Sequence, residues 1–209
     1  MLKPYKTVLR ASETEFTEKK SRFIGRCFPV VSEEEAAARL AEVRKKHYDA
    51  THNCWAYALS DGSRRFSDDG EPGGTAGMPI MDTLIRRDIK DALIVVTRYF
   101  GGILLGSGGL VRAYSRSASD ALSLAGTGVM TPCRVLEFTV DYPRYGGVEG
   151  FVKSNAMVDS VDFLENVRFR VTVPEDRAEA FIKELVERTD GRAAPVSVGE
   201  KYAAVPVPE

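Results

Sequence analysis

The sequence predicts an α+β protein built as two domains, and three features carry that prediction. Residues 92–96, ALIVV, form an unbroken apolar run of the kind found in strands covered on both faces, and it passes through clustered glycines into a long helical stripe. After residue 133 the strand and helix signals follow the order β-α-β-β-α-β. Charge also changes sign along the chain: 19 Lys and Arg stand against 16 Asp and Glu in residues 1–132, and 10 against 14 in residues 133–209. The expected division is a mixed α/β domain over 1–132 and a second domain over 133–209.

With 209 residues, 44% hydrophobic and 28% charged, the chain is long enough to bury a sizeable core. Cys27, Cys54 and Cys133 are odd in number, far apart and without CxxC spacing. That speaks against a disulfide framework and a zinc site, and for a reducing cytoplasm. No apolar run approaches the roughly 20 residues needed to span a bilayer, and the first 16 residues lack a signal-peptide core, so no membrane partner is expected. No metal, no cofactor and no DNA specificity are expected. The charge asymmetry is too mild to establish a nucleic-acid partner by itself, because a local basic patch matters more than a total.

Residues 5–9 and 13–31 read as extended, the second stretch long enough for a hairpin or a bent strand, with Gly25 at a bulge and Pro29 near its end. A period of two puts Lys20 and Arg22 on one face, either as a solvated strand face or as phosphate contacts. Ser32 followed by Glu33, Glu34 and Glu35 is a capping-box signature, and Ala36, Leu40 and Val43 supply the apolar stripe of a helix that Lys45 and Lys46 close. Residues 51–60, THNCWAYALS, alternate as a strand that carries His52, a hydrogen-bonded structural group or a ligand. Asp61-Gly62 turns the chain so that residues 64–67 pair back. From Thr75 the run TAGMPIMDTLIRR is helical, with Ile80, Met81, Leu84 and Ile85 on one face.

The candidate site residues cluster in two irregular stretches. Residues 67–77, SDDGEPGGTAG, set Asp68, Asp69, Glu71 and Thr75 among four glycines. Their carboxylates either hold a ligand or cation, though without EF-hand spacing, or accept hydrogen bonds from amides of their own turn. Beyond ALIVV the chain switches to Thr97, Arg98 and Tyr99, so the strand is expected to end at water. Gly101, Gly102, Gly106, Gly108 and Gly109 then allow positive φ and close backbone approach. Leu110, Ala113, Tyr114, Ser117, Ala118, Ala121 and Leu122 form the stripe of the following helix, with Arg112 and Arg116 at i,i+4 on its other side. A glycine-rich turn feeding a helix start is a candidate anion site, and the missing GxxxxGK[ST] excludes a Walker loop.

In the second domain Leu136, Phe138, Val140 and Tyr142 alternate as a strand, and Pro143 opens a helix that Gly146, Gly147 and Gly150 weaken. A short strand over 160–164, a strand carrying Val167, Phe169, Val171 and Val173, a helix over 175–189 and a last strand over 196–207 complete a ferredoxin-like module. Phe169 falls on the helix-facing side, which argues against an aromatic RNA platform. Arg168 and Arg170 lie on the open face, as a solvated surface or as phosphate contacts.

Three blocks, DATHNCW at 49–55, DDGEPGGTAG at 68–77 and TRYFGGILLGSGGLVRAY at 97–114, closely resemble the IMPACT family, and within it the bacterial YigZ-like members. Ile103, Leu104 and Ser107 depart from residues often found in related chains, which carry a lysine between the glycines. The resemblance implies a first domain like the second domain of a small-subunit ribosomal protein, a fold shared with domain IV of elongation factor G. It implies a ferredoxin-like second domain like domain V of that factor. Eukaryotic relatives regulate translation by restraining the activation of an initiation-factor kinase; because that partner system is eukaryotic, the resemblance by itself does not transfer this role to a bacterial-type chain.

These readings lead to a non-catalytic, translation-associated protein that contacts RNA or the ribosome, with Lys20, Arg22, Arg98, Arg112 and Arg116 touching phosphates and a regulatory protein as a further partner. Two alternatives stand beside it. One is an enzyme holding a phosphorylated small molecule on Gly106–Gly109, with His52, Asp69 or Glu71 as base. The other is a protein-interaction module in which Arg98 forms a structural ion pair with Asp69 or Glu71.

Overall fold

Side chains of a strand alternate between faces, so a fully apolar strand needs a covering layer on each side. The structure, a computed structural model, describes residues 4–206. Its two compact units meet in sequence between Val129 and Met130. In chain order the first unit contains β1 (Tyr5–Val8), β2 (Ser12–Glu18), β3 (Ser21–Pro29), α1 (Glu33–Lys46), β4 (His52–Ala58), β5 (Arg64–Ser67), α2 (Gly77–Arg86), β6 (Ala92–Tyr99) and α3 (Ser107–Ala125). β7 (Thr127–Val140) leads into α4 (Tyr142–Asn155), β8 (Met157–Phe163), β9 (Val167–Pro174), α5 (Glu175–Arg188) and β10 (Val196–Pro206). Among the described residues no helix is long and apolar enough to cross a membrane.

The main sheet of the first unit has the order β2-β3-β6-β4-β5 with every neighbour antiparallel, and β6 lies at its centre. Leu93 and Val95 pack with Tyr57, Ala36, Leu40 and Val43 beneath α1. Ile94 and Val96 pack on the other face with Phe23, Ala56, Ile80, Leu84, Tyr114 and Leu122, under α2 and α3. Ser32 caps α1 by accepting from the Glu35 amide, while the Glu35 carboxylate accepts from the Val31 amide, one residue before the N-cap amide that a full capping box would use.

Four local expectations are corrected. Thr97 and Arg98 remain in β6 and are 0% and 4% exposed, so the switch to polar residues does not mark the water-facing end, which comes one or two residues later at Tyr99 and the exposed Phe100. Gly25 keeps unbroken register with Thr14 and Val96 and forms no bulge. A Cβ there would lie 2.5 Å from the Ser117 carbonyl oxygen, so its bare backbone lets α3 seat on the sheet. Lys19 and Lys20 form the two-residue turn of the β2–β3 hairpin with φ of 44° and 63°, the I′ conformation that hairpin twist favours. Lys20 thus shares no strand face with Arg22. Finally, Ile85 is exposed, while Ile80, Met81 and Leu84 are buried.

In the second unit β10 pairs β7, β7 pairs β9 and β9 pairs β8, the ferredoxin-like order β10-β7-β9-β8. Phe138 and Phe169 face each other in register and stack at 5.1 Å. α4 forms in spite of its glycines because Asp141 caps it, Pro143 presets its first turn, and Val148, Phe151 and Val152 are buried.

The glycines divide by what surrounds them. Gly25→Ala should lower the stability of the first unit by about 1–3 kcal/mol through overpacking, whereas Gly146→Ala, at a helical position with nothing within 4 Å, should raise that of the second by about 0.5–1 kcal/mol. Urea unfolding of both variants checks the contrast.

Candidate functional site

Facing residues of β3, β4 and β6 bring Phe23, His52 and Arg98 into one register, and the 67–77 loop closes over them. Arg98 Nη1 donates to Glu71 Oε1 at 2.6 Å, and Tyr114 Oη of α3 donates to the same oxygen at 2.7 Å. The side chains of Arg98 and Glu71 are 5% and 3% exposed. The Arg98 guanidinium lies 5.5 Å from the ring centres of both Phe23 and Phe100, and its Nη2 reaches Ser21. His52 Nε2 stands 3.8 Å from the other Glu71 oxygen, and its Nδ1 donates to the Asp69 carbonyl at 2.8 Å. Burial pushes the Tyr114 phenol far above its ordinary range and the Cys54 thiol beside it up to about 12.

The loop itself is tied down by its carboxylates. Asp68 accepts from the amides of Gly74, Ala76 and Gly77 at 2.8–3.0 Å, closing the α2 N-terminus as an internal anion would. Burial acts to raise the Asp68 pKa, but those three amides outweigh it and hold the carboxyl below its usual range. Asp69 accepts from the Asn53 amide and from Arg44, both at 2.7 Å. Thr75 donates to the Pro72 carbonyl. The amide lock describes Asp68, while Glu71 forms a buried ion pair with Arg98.

A second polar cluster occupies the α1 face. Arg26 donates to Glu13, Thr97 and His47 Nε2 at 2.7, 3.1 and 2.6 Å. An arginine only donates, so His47 Nε2 accepts and Nδ1 carries the proton toward Tyr99 Oη, which donates to Asp49. Burial, with the Arg26 and Lys46 charges, holds the His47 imidazole below its usual pKa.

The solvent-accessible candidate lies along α3. A cleft of ≈ 260 Å³ is lined by Phe16, Glu18 and Lys19 of the hairpin, Leu105 and Gly109, and Arg112, Ala113 and Arg116 of α3. Three cations there face one carboxylate. Gly102 and Gly106 take φ of 82° and 74°, and Gly101 sits so close to the Lys20 backbone that a Cβ would overlap it at 2.0 Å. Gly108 and Gly109 have ordinary helical φ and belong to the first turn of α3, which corrects the expectation that all five glycines serve special backbone angles.

The expected site residues therefore fall into separate places. His52, Asp68, Asp69, Glu71, Thr75 and Arg98 converge; Arg98, Glu71 and His52 contact one another. Asp68, Asp69 and Thr75 bond to loop amides, Arg44, Asn53 and the Pro72 carbonyl, and the buried Arg98 is not placed to meet a phosphate in solvent. Tyr99 belongs to the His47 cluster across the sheet. Arg22 is held bidentately by Glu15 at 2.7 Å, and Lys20 lies in the hairpin turn beside the cleft. Only Gly109, Arg112 and Arg116 line the cleft itself. Sequence reading passed over Tyr114 as an apolar stripe residue, although a buried phenol needs a hydrogen-bond partner. It also passed over Lys19, Phe16, Arg26 and His47, which no spacing rule connects.

Known proteins resemble most of this chain. Residues 19–122 match the model of the Impact N-terminal domain, and residues 138–192 match a Domain of unknown function (DUF1949). The chain is 40% identical to IMPACT family member YvyE of Bacillus subtilis over 196 residues, 92% of this chain and 90% of that one. It is 35% identical to IMPACT family member YigZ of Escherichia coli over 187 residues, 87% and 92% of the two chains. Protein IMPACT of Mus musculus is 35% identical over 95 residues, 43% of this chain and 30% of the mouse one. A crystal structure of a hypothetical protein matches with a TM-score of 0.61 at 30% identity, over 95% of this chain and 99% of that chain.

Glu71→Gln should destabilise the first unit by about 3–5 kcal/mol, because it leaves Arg98 buried and unpaired; the double variant Glu71→Leu, Arg98→Met should lose less than Glu71→Gln alone, as urea unfolding would show. For His47 the sign follows from its depressed pKa. The unfolded chain binds the proton more readily, so stability is present at neutral pH and declines as pH falls through about 6.5. Unfolding between pH 5 and 7.5 should show a shallower pH slope in His47→Gln than in the parent.

Proposed function

The chain belongs to the IMPACT family, and from that premise we propose that it is a translation-associated protein that contacts RNA, free or within the ribosome, through the α3 cleft. The observation that carries this reading is the placement of Lys19, Arg112 and Arg116 around one solvent-reachable depression beside the start of α3. Phosphates position nucleic acid on a protein without reading its sequence, and guanidinium groups suit them through several N–H donors in a fixed plane. The segment matched to the Impact N-terminal domain, residues 19–122, includes all three cations. Arg98 takes a structural part in this reading, paired with the buried Glu71, and Asp69 is engaged by Arg44 and the Asn53 amide.

If three phosphates are neutralised, affinity for RNA should fall by roughly twentyfold between about 50 and 200 mM salt. Arg112→Gln should shrink the log–log salt slope by about 0.7. Fluorescence anisotropy with labelled RNA measures both, and the absence of saturable binding at low salt would refute the reading.

A further inference from the structure

The cleft holds more than charge. Tyr114, bonded to Glu71 in the interior, meets the Phe23 ring edge-on at 5.4 Å and 88°. Phe23 stacks on Phe16 at 5.3 Å and 10°. The Arg116 guanidinium carbon lies 4.3 Å from the centre of the Phe16 ring. A column of rings thus rises from the buried network to the cleft and ends in a cation, whose side chain is 59% exposed. Asp120 Oδ2 lies 3.5 Å from Arg116 Nε, and with more than half of its side chain exposed the guanidinium is not enclosed. Leu105 adds an apolar wall, and Lys19 and Arg112 stand on the rim.

We propose that this cleft takes an unpaired nucleotide, its base stacked on the Arg116 guanidinium plane and its phosphate held by Lys19 and Arg112. The proposal rests on the phosphate-binding reading above and deepens it by naming the substrate class. A guanidinium already packed on Phe16 is pre-oriented, and unstacked bases bind arginine planes as they bind aromatic rings. A base inside a duplex has both faces covered and cannot enter a cleft walled by a hairpin turn and a helix. The chemistry is shared by a single-stranded RNA segment and a free mononucleotide.

The full chain is titrated with a 12-mer single-stranded oligoadenylate, with a duplex RNA of equal phosphate number and with adenosine monophosphate. The single strand should bind at least about tenfold tighter than the duplex. Arg116→Lys keeps the charge and removes the plane; it should weaken single-strand binding about five- to tenfold while leaving the salt slope unchanged. It should also abolish the quenching of a 2-aminopurine placed in the strand. Competition by adenosine monophosphate that is lost in Arg116→Lys would identify a free nucleotide as a second source of the same chemistry. Equal affinity for both RNAs, with Arg116→Lys indistinguishable from the parent, would overturn the stacking inference and leave phosphate binding standing. No saturable binding of any probe would overturn both.

Discussion

The ion pair between Arg98 and Glu71 is the constraint around which the first unit is assembled. Two charges out of water are tolerated only when their geometry is good and their remaining polar atoms are largely satisfied. Here Arg98 comes from the central strand, Glu71 from the glycine-rich loop, Tyr114 from α3, and Ser21 from the start of β3. Each must be in place for the others to be partnered. The loop in turn holds its shape because Asp68 takes up amides at the start of α2. Sheet, loop and helix are thereby specified together, in a region where apolar packing alone would permit sliding.

The sheet carries polar networks on both faces near the same end, and Asp69, bonded to Arg44 of α1 and to the Asn53 amide, stands beside both. Thr97 and Asn53 turn toward Arg26 and His47 on the α1 side, while Arg98 and His52 turn toward Glu71 on the α3 side. Such an arrangement follows from strand alternation. It engages Arg26, His47, Glu71 and Arg98 in buried contacts, whereas Lys19, Arg112 and Arg116 line the α3 cleft.

The interior and the cleft are mechanically one object. Phe23 lies against both the Arg98 guanidinium and the Phe16 ring, and Gly25 allows α3, with Arg112 and Arg116 on it, to sit directly on β3. The position of the cleft is therefore set by buried contacts, and its cations come from a rigid helix and a two-residue turn. Rigid placement lowers the entropy that a bound phosphate would otherwise require the protein to lose.

Much of this was legible in the chain itself. Period-two and helical patterns determined the αβ elements, the capping of α1, the burial of ALIVV and the ferredoxin-like order of the second unit, because burial on a regular element imposes a regular spacing of apolar residues. Three sequence blocks marked where the site residues lie, and the pairing of Arg98 with Asp69 or Glu71 was among their readings. Which acid it takes, that Tyr114 joins them, that Arg98 is withdrawn from solvent and that Lys19 and Phe16 complete a cleft with Arg112 and Arg116 were decided only by the tertiary structure. Those contacts join residues tens of positions apart at angles that no local periodicity encodes, and whether a charge faces water or a counter-charge depends on what the fold lays over it.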